Sequence, residues 1–314
     1  MSGPGRYLVT GGAGFIGAHL ARLLRERGDR VWVLDNLSTG KESNIPAGCE
    51  FLRLDLAAPG FTDRLPAERF DAVLHLAAQS SGEISHADPV RDFQTNLAGT
   101  VALLQWASTR TPRFLYASSM AAYGQPEITS VDEETPLRPL SYYGLAKGTA
   151  EEYVRRFNRP DFGTTSFRMF SVYGPGQNLD NLKQGMISIY LAYALKGEPI
   201  VVKGSGDRFR DFVYIDDVAA AWTAALTAPA SHGAVLNIGT GVGTRVKDVL
   251  AQLLRALGKP ADHPIRWEGP TPNDQFGITA KIDRARRLLG WSPRVTLTEG
   301  LERMARWAQG TKTP

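Results

Sequence analysis

The chain has one cysteine, Cys49, in 314 residues. No intrachain disulfide can form, and a reducing cytoplasm is the simple expectation. Cys49 itself reads as a small apolar residue. No hydrophobic run is long enough to span a bilayer. The N-terminus carries no basic region followed by an apolar stretch and a cleavage site, so no secretory leader is expected. The formal charge is only +4 and is scattered. Without a Lys/Arg tract, nucleic acid and membrane surfaces are not expected partners, although a small positive excess suits an anionic ligand such as a diphosphate. Low-complexity segments and internal repeats are absent, and no metal site is expected.

What is present is an ordinary globular composition, 43% hydrophobic, in a chain long enough for one large or two modest domains. Short apolar runs at 7–10, 31–34, 51–55, 72–76, 114–117 and 165–170 read as buried strands. Helical patterns at 18–27, 92–108 and 142–157 alternate with them. That alternation predicts an α/β fold, a doubly wound parallel sheet covered on both faces. From Gly174 the texture changes. Helices are predicted at 186–196, 246–257 and 282–289, strands at 200–203, 212–215 and 235–238, and a loop at 260–275. The expected organisation is a dinucleotide-binding domain over 1–173 and a smaller mixed α/β lobe over 174–314. Segments near 212–238 are expected to return to the first sheet.

The run Gly11-Gly12-Ala-Gly14-Phe15-Ile16-Gly17 follows a predicted strand and opens a predicted helix. Gly12 would permit the tight turn, Gly14 the approach of a pyrophosphate, and Gly17 close packing of helix on strand. The helix N-terminus would hold the phosphates. Asp35 ends the second strand at about the ~20-residue offset where a carboxylate meets ribose hydroxyls, which favours NAD over NADP. Asp55-Leu56 follows the third strand, near an adenine in this topology, although Asp55 reads equally as a helix cap. Leu76-Ala77-Ala78-Gln79 ends the fourth strand at the carboxyl edge, where ligands bind.

Ser118-Ser119 ends the fifth strand, and Tyr143 and Lys147 are spaced to share one helix face. A tyrosine has an ordinary pKa of about 10 and becomes a base near neutrality only if positive charge stabilises its phenolate. A lysine one turn away and an oxidised nicotinamide both supply such charge. The tyrosinate could then take a proton from a sugar hydroxyl as hydride leaves the same carbon, with Ser119 steadying the oxygen.

With these motifs the chain resembles the extended short-chain dehydrogenase/reductases, specifically the NAD-dependent nucleotide-sugar epimerases and dehydratases. The resemblance covers nearly the whole chain. It runs through 10–17, Asp35-Asn36-Leu37-Ser38, 75–79, Asn96, 118–124, 143–147, 172–175, 210–217, 237–241 and 289–293. It implies a Rossmann-type domain, a tightly held NAD, and a UDP-hexose substrate oxidised transiently at C4. The cofactor contacts it carries over are Gly11, Gly14, Phe15, Ile16, Gly17, Asp35, Asn36 and Ser38. They continue with Asp55, Leu56, Leu76 to Gln79, Asn96, Ser118, Tyr143, Lys147 and Phe170. The substrate contacts are Ser80, Glu83, Ser119, Met120, Ala121, Tyr143, Ser171, Arg210 at the diphosphate and Asp274 near the nucleoside ribose. Arg210 could instead pair with Asp211 or Asp207, and Asp274 could be an ordinary turn residue. The family also implies a homodimer built on the helices at 92–108 and 142–157, although their apolar content could equally reflect packing on their own sheet.

Departures from the family pattern bear on the reaction. The 4,6-dehydratases of this family follow the catalytic Ser/Thr with Asp-Glu, and here those positions are Met120 and Ala121. Neither carries a proton to give or take, so the usual 4,6-dehydration is disfavoured, and the small apolar pair resembles the 4-epimerases. Ser171 stands where Phe-Asn is usual. Glu83 offers a carboxylate that could act near C5 or C6, or could be a solvated loop residue, and His86 is open in the same way. The Met-Ala-Ala-Tyr-Gly turn also resembles the UDP-N-acetylglucosamine 5,6-dehydratases of the tunicamycin pathway. The leading expectation is therefore loss of water across C5–C6 with hydride returned to C4. The alternative is UDP-hexose 4-epimerisation. A non-catalytic NAD-binding protein is the reading from another class, and the presence of Ser119, Tyr143 and Lys147 together argues against it.

Overall fold

The computed structural model describes residues 3–270 and 275–310. Seven strands form the central sheet: β1 (Arg6–Thr10), β2 (Arg30–Asp35), β3 (Glu50–Arg53), β4 (Ala72–His75), β5 (Arg113–Ser119), β6 (Gly163–Met169) and β7 (Ala234–Ile238). All pairings are parallel, in the spatial order 7-6-5-4-1-2-3. Strands covered on both faces need apolar side chains on both. Leu8, Val9, Val73, Leu74, Phe114 and Leu115 are accordingly all fully buried. The fold is the expected doubly wound Rossmann sheet. Its strand order reverses between β1 and β4, and a crevice opens at that point beyond the carboxyl ends of the strands.

Helix α1 (Phe15–Glu26) follows β1, and α2 (Gly82–Ala87), α3 (Pro89–Phe93) and α4 (Gly99–Ala107) lie between β4 and β5. The single helix expected over 92–108 starts earlier, because Asp88 caps it through Arg91 N and Pro89 occupies its first turn. A π turn at Gln94–Ala98 then interrupts it. Helix α5 (Tyr142–Phe157), capped by Ser141, follows the expected span.

A second core gathers Tyr173, Leu191, Phe212, Val249 and Leu301. It includes α6 (Met186–Lys196) and a three-stranded sheet of Ser171–Tyr173, Phe209–Tyr214 and Gly243–Arg245. Of the segments expected to return to the first sheet, Ala234–Ile238 does so as β7, whereas Phe209–Tyr214 pairs with Ser171–Tyr173. The stretch read as a loop at 260–275 contains a strand, Ile265–Glu268, paired in parallel with Ile200–Lys203. Its surrounding Pro and Gly concealed it. No helix among the described residues is long and apolar enough to cross a membrane.

Candidate functional site

A cavity of about 1160 Å³ runs along the carboxyl ends of β1, β4 and β5 and under the second core. At its floor lies the glycine turn. The left-handed residue is Gly11, at φ +70, rather than Gly12. A Cβ on Gly11 would meet Ala77 N at 2.7 Å, and one on Gly12 would meet Val33 Cγ1 at 2.7 Å. A Cβ on Gly17 would collide with the Gly11 carbonyl oxygen. Gly14 is the N-cap of α1, no side chain caps that helix, and its first turn carries no acid. Phe15, Ile16 and Gly17 line the cavity, so the open N–H groups of this turn suit a diphosphate.

Asp35 is buried on the cavity wall, its carboxylate accepting from Ala13 N at 3.0 Å and Leu37 N at 2.8 Å. Leu37 takes φ 60, the left-handed region unusual for a branched side chain, and the Asp35 hydrogen bond holds it there. Asn36 and Ser38 line the same end, where Asn36 Oδ1 accepts from Ser38 N. Asp55 does not cap a helix. It accepts from Ala57 N and pairs with Arg91 at 2.5 Å, and it lines the cavity with Leu56. Leu76, Ala77, Ala78 and Gln79 continue the wall. The Gln79 side chain turns inward, donating to Ser81 O and Asp92 Oδ1. Asn96 departs from the expected cofactor contact. It is fully buried, and its amide bonds the backbone N–H and C=O of Gln79, so it fixes that wall from behind.

Ser119, Tyr143 and Lys147 converge where β5 and α5 meet the cavity. The Ser119 hydroxyl accepts from Ala121 N at 3.2 Å. Burial pushes the Tyr143 phenol up to about 12, partly opposed by the neighbouring Ser119 hydroxyl. Burial brings the Lys147 ammonium down to about 7, and it donates to Ala117 O at 2.8 Å. Its Nζ lies 6.0 Å from the Tyr143 ring centroid and 4.9 Å from that of Tyr116. Ser118 lines the cavity, but its hydroxyl turns away to Glu151 at 2.8 Å. Glu151 in turn holds Arg168, which donates to Tyr123 OH. This buried network braces the end of β5 from behind.

Met120, Ala121 and Ser171, with Ser80 and the expected cofactor contact Phe170, also line the cavity. Glu83 is exposed on the rim, 3.4 Å from Lys203, and His86 is exposed with its ring stacked on Tyr142. Arg210 is buried in the far wall, and burial lowers it to about 10. The acids weighed as its surface partners are engaged elsewhere, Asp207 with Lys247 and Asp211 with Thr240, Gly241 and Ala280 amides. Asp274 lies outside the described residues.

Residues 7–239 match the NAD dependent epimerase/dehydratase family. The chain belongs to that family. It is 34% identical over 304 residues to the UDP-glucose 4-epimerase of Mycolicibacterium smegmatis, covering 94% of this chain and 96% of that one. The Thermotoga maritima UDP-glucose 4-epimerase, solved with UDP-glucose, superposes with a TM-score of 0.92 at 34% identity, covering 98% of this chain and 99% of the other. The Thermus thermophilus UDP-glucose 4-epimerase, solved with NAD, gives 0.88 at 34% identity over 97% of this chain and 99% of the other. The chain is an NAD-dependent nucleotide-sugar enzyme of the epimerase/dehydratase family, and the glycine turn, Asp35 and the open start of α1 fit the dinucleotide.

Two wall residues escape a sequence reading of this epimerase/dehydratase. Tyr190 from α6 and Arg208 lie buried beside Arg210 at the far end of the cavity. Arg208 carries no periodic signal, because it lies just before the strand Phe209–Tyr214 rather than on it. Tyr190 carries none, because one tyrosine on an apolar helix looks like core.

Proposed function

We propose that the protein is a UDP-hexose 4-epimerase. The observation that carries this reading is the convergence of Ser119, Tyr143 and Lys147 on one cavity whose neighbouring turn, Met120-Ala121, holds no carboxylate. Its similarity to enzymes named UDP-glucose 4-epimerases supports it. NAD, held by the glycine turn, Asp35 and the open start of α1, would supply the hydride acceptor and donor for C4. The Tyr143 oxygen takes the proton of the C4 hydroxyl and later returns it. Lys147 stabilises the tyrosinate, and Ser119 hydrogen-bonds the sugar oxygen through both directions. Arg210 anchors the diphosphate while the apolar Met120 and Ala121 leave the ring free to present either face.

Loss of water across C5–C6 remains the second reading, because one observation favours it. Glu83 is the carboxylate on the sugar side among the described cavity residues. It is exposed and tied to Lys203, which weakens it as an acid or base near the sugar. Incubation with UDP-glucose and UDP-N-acetylglucosamine in deuterated water, read by mass spectrometry, separates the two. The expected product has unchanged mass and keeps its C5 hydrogen. A product lighter by one water, or one carrying deuterium at C5, overturns the epimerase reading. We also propose a homodimer through α3 and α5, supported by Val90, Phe93, Tyr142 and Leu145, which are exposed there. Light scattering tests it, and a monomer at working concentration overturns it.

A further inference from the structure

Asp92 takes no part in the mechanism above, yet it is 1% exposed in the wall behind the catalytic residues. Its Oδ1 accepts from Gln79 Nε2 at 3.1 Å and Asn96 Nδ2 at 2.9 Å. Its Oδ2 is buried with no hydrogen-bond partner of full geometry among the described residues, and the buried Ser85 hydroxyl beside it has none either. A carboxylate taken out of water and held only by neutral groups, the Ser85 hydroxyl and the Gln79 and Asn96 amides, is further stabilised by a cation. Helix α3 packs on α5, which carries the Lys147 ammonium, itself 2% exposed, and among the described residues that is the cation acting on Asp92. Glu151, one turn further along α5, is already held by Arg168.

We propose that Asp92 is the buried counter-ion of Lys147 and sets the pH range over which the Tyr143–Lys147 pair works. The inference rests on the reading of that pair as the acid–base machinery. Asp92 raises the pKa of Lys147 against its burial and also raises that of Tyr143. Lys147 acts on Asp92 in the opposite sense, lowering a carboxyl that burial pushes up. The other groups facing this cluster leave it as the neighbouring charge. From β5 comes Tyr116, a neutral phenol that burial holds well above its ordinary value. From β4 comes His75, kept neutral by burial at about 3 and bonded to Thr10 and Thr100. From α2 come Ser85, inward, and Glu83 and His86, exposed. On α3 itself, Arg91 is taken by Asp55 and Asp88 is exposed.

The test is Asp92→Asn, which keeps shape and removes the charge. Loss of a negative charge favours loss of protons from every neighbour. Both limbs of the pH–rate profile should therefore move to lower pH, by roughly one unit, the low end for a single adjacent charge. Limbs that stay in place while only the amplitude falls, or that move to higher pH, overturn the proposal. A second readout needs no activity. In urea unfolding, Asp92→Asn should destabilise the wild type but be neutral or stabilising in a Lys147→Met background, where Asp92 has lost its cation. An equal effect in both backgrounds overturns the proposal, and the same comparison of soluble yield applies if the single variant does not fold. Tyr143→Phe run alongside keeps the two questions apart. Full activity there sinks the base assignment, whereas an inactive Tyr143→Phe with an unmoved Asp92→Asn profile sinks only the role of Asp92.

Discussion

Lys147→Met probes the acid–base assignment through a charge whose position is known. Burial holds the Tyr143 phenol at about 12. At pH 7 its ionised form therefore lies ~7 kcal/mol uphill, at about 1.4 kcal/mol per unit. The Lys147 Nζ is 6.0 Å from the centre of the Tyr143 ring. With an effective dielectric of about 20, one charge at that range is worth roughly 3 kcal/mol, or about two units. The remainder of the gap would fall to the positive ring of bound NAD, since the effect of Ser119 is already contained in the value of about 12. Methionine keeps the stem and removes the charge, so the tyrosine pKa rises. Activity is then lost at low pH and regained as pH climbs. Turnover near pH 7 should fall about 10²-fold and recover about tenfold per pH unit above it. Lys147 sits near 7 in its buried setting, but ionising Tyr143 pulls it back up, so the wild-type pair titrates as a unit. The assay is the initial rate on a UDP-hexose from about pH 6 to about pH 10, with bound NAD counted in each preparation. A loss of the same size at every pH, in protein that keeps its NAD, would refute the reasoning.

Glu151→Ala should cost about 3–5 kcal/mol in urea unfolding, because it strands the buried Arg168 guanidinium. The double variant with Arg168→Met should recover much of that loss, and strict additivity would count against the pair. Gly17→Ala places a methyl group against the Gly11 carbonyl. The protein should purify with NAD affinity lowered about tenfold or more while its circular dichroism is kept, and a full NAD content would contradict the assigned close packing.

The central sheet is legible because its strands are buried on both faces. Runs such as Val31-Trp32-Val33-Leu34 have no other use in an α/β chain. The glycine turn is legible for a similar reason, since Gly11 and Gly17 stand where no side chain fits. What hides is whatever depends on contacts distant in sequence. The turn residue is Gly11 rather than Gly12 because of Ala77, sixty-odd positions away in the chain. The π turn at Gln94–Ala98 leaves no mark on the helical periodicity of 92–108. Asn96 reads as a ligand from its motif, yet its amide is committed to the backbone of Gln79.

The second half of the reaction is illegible for a different reason. A spacing of four residues is enough to bring Tyr143 and Lys147 together, because a helix fixes that geometry locally. The fate of the C4 ketone depends on whether any acid or base reaches C5 and C6, and those groups come from separate segments. Met120 and Ala121 remove the pair that follows Ser119 in the 4,6-dehydratases, but an absence at one turn does not exclude a carboxylate arriving from elsewhere. The structure narrows the search, since the cavity carboxylates among the described residues are Asp35 and Asp55, beyond the ends of β2 and β3, and Glu83 at the rim. Glu83 is spent on Lys203 in solvent, where a carboxylate lacks the fixed geometry for proton transfer. On the proposed 4-epimerase reading, hydride returns to C4, and the stereochemical outcome depends on which face of the ring the apolar Met120 and Ala121 let it present.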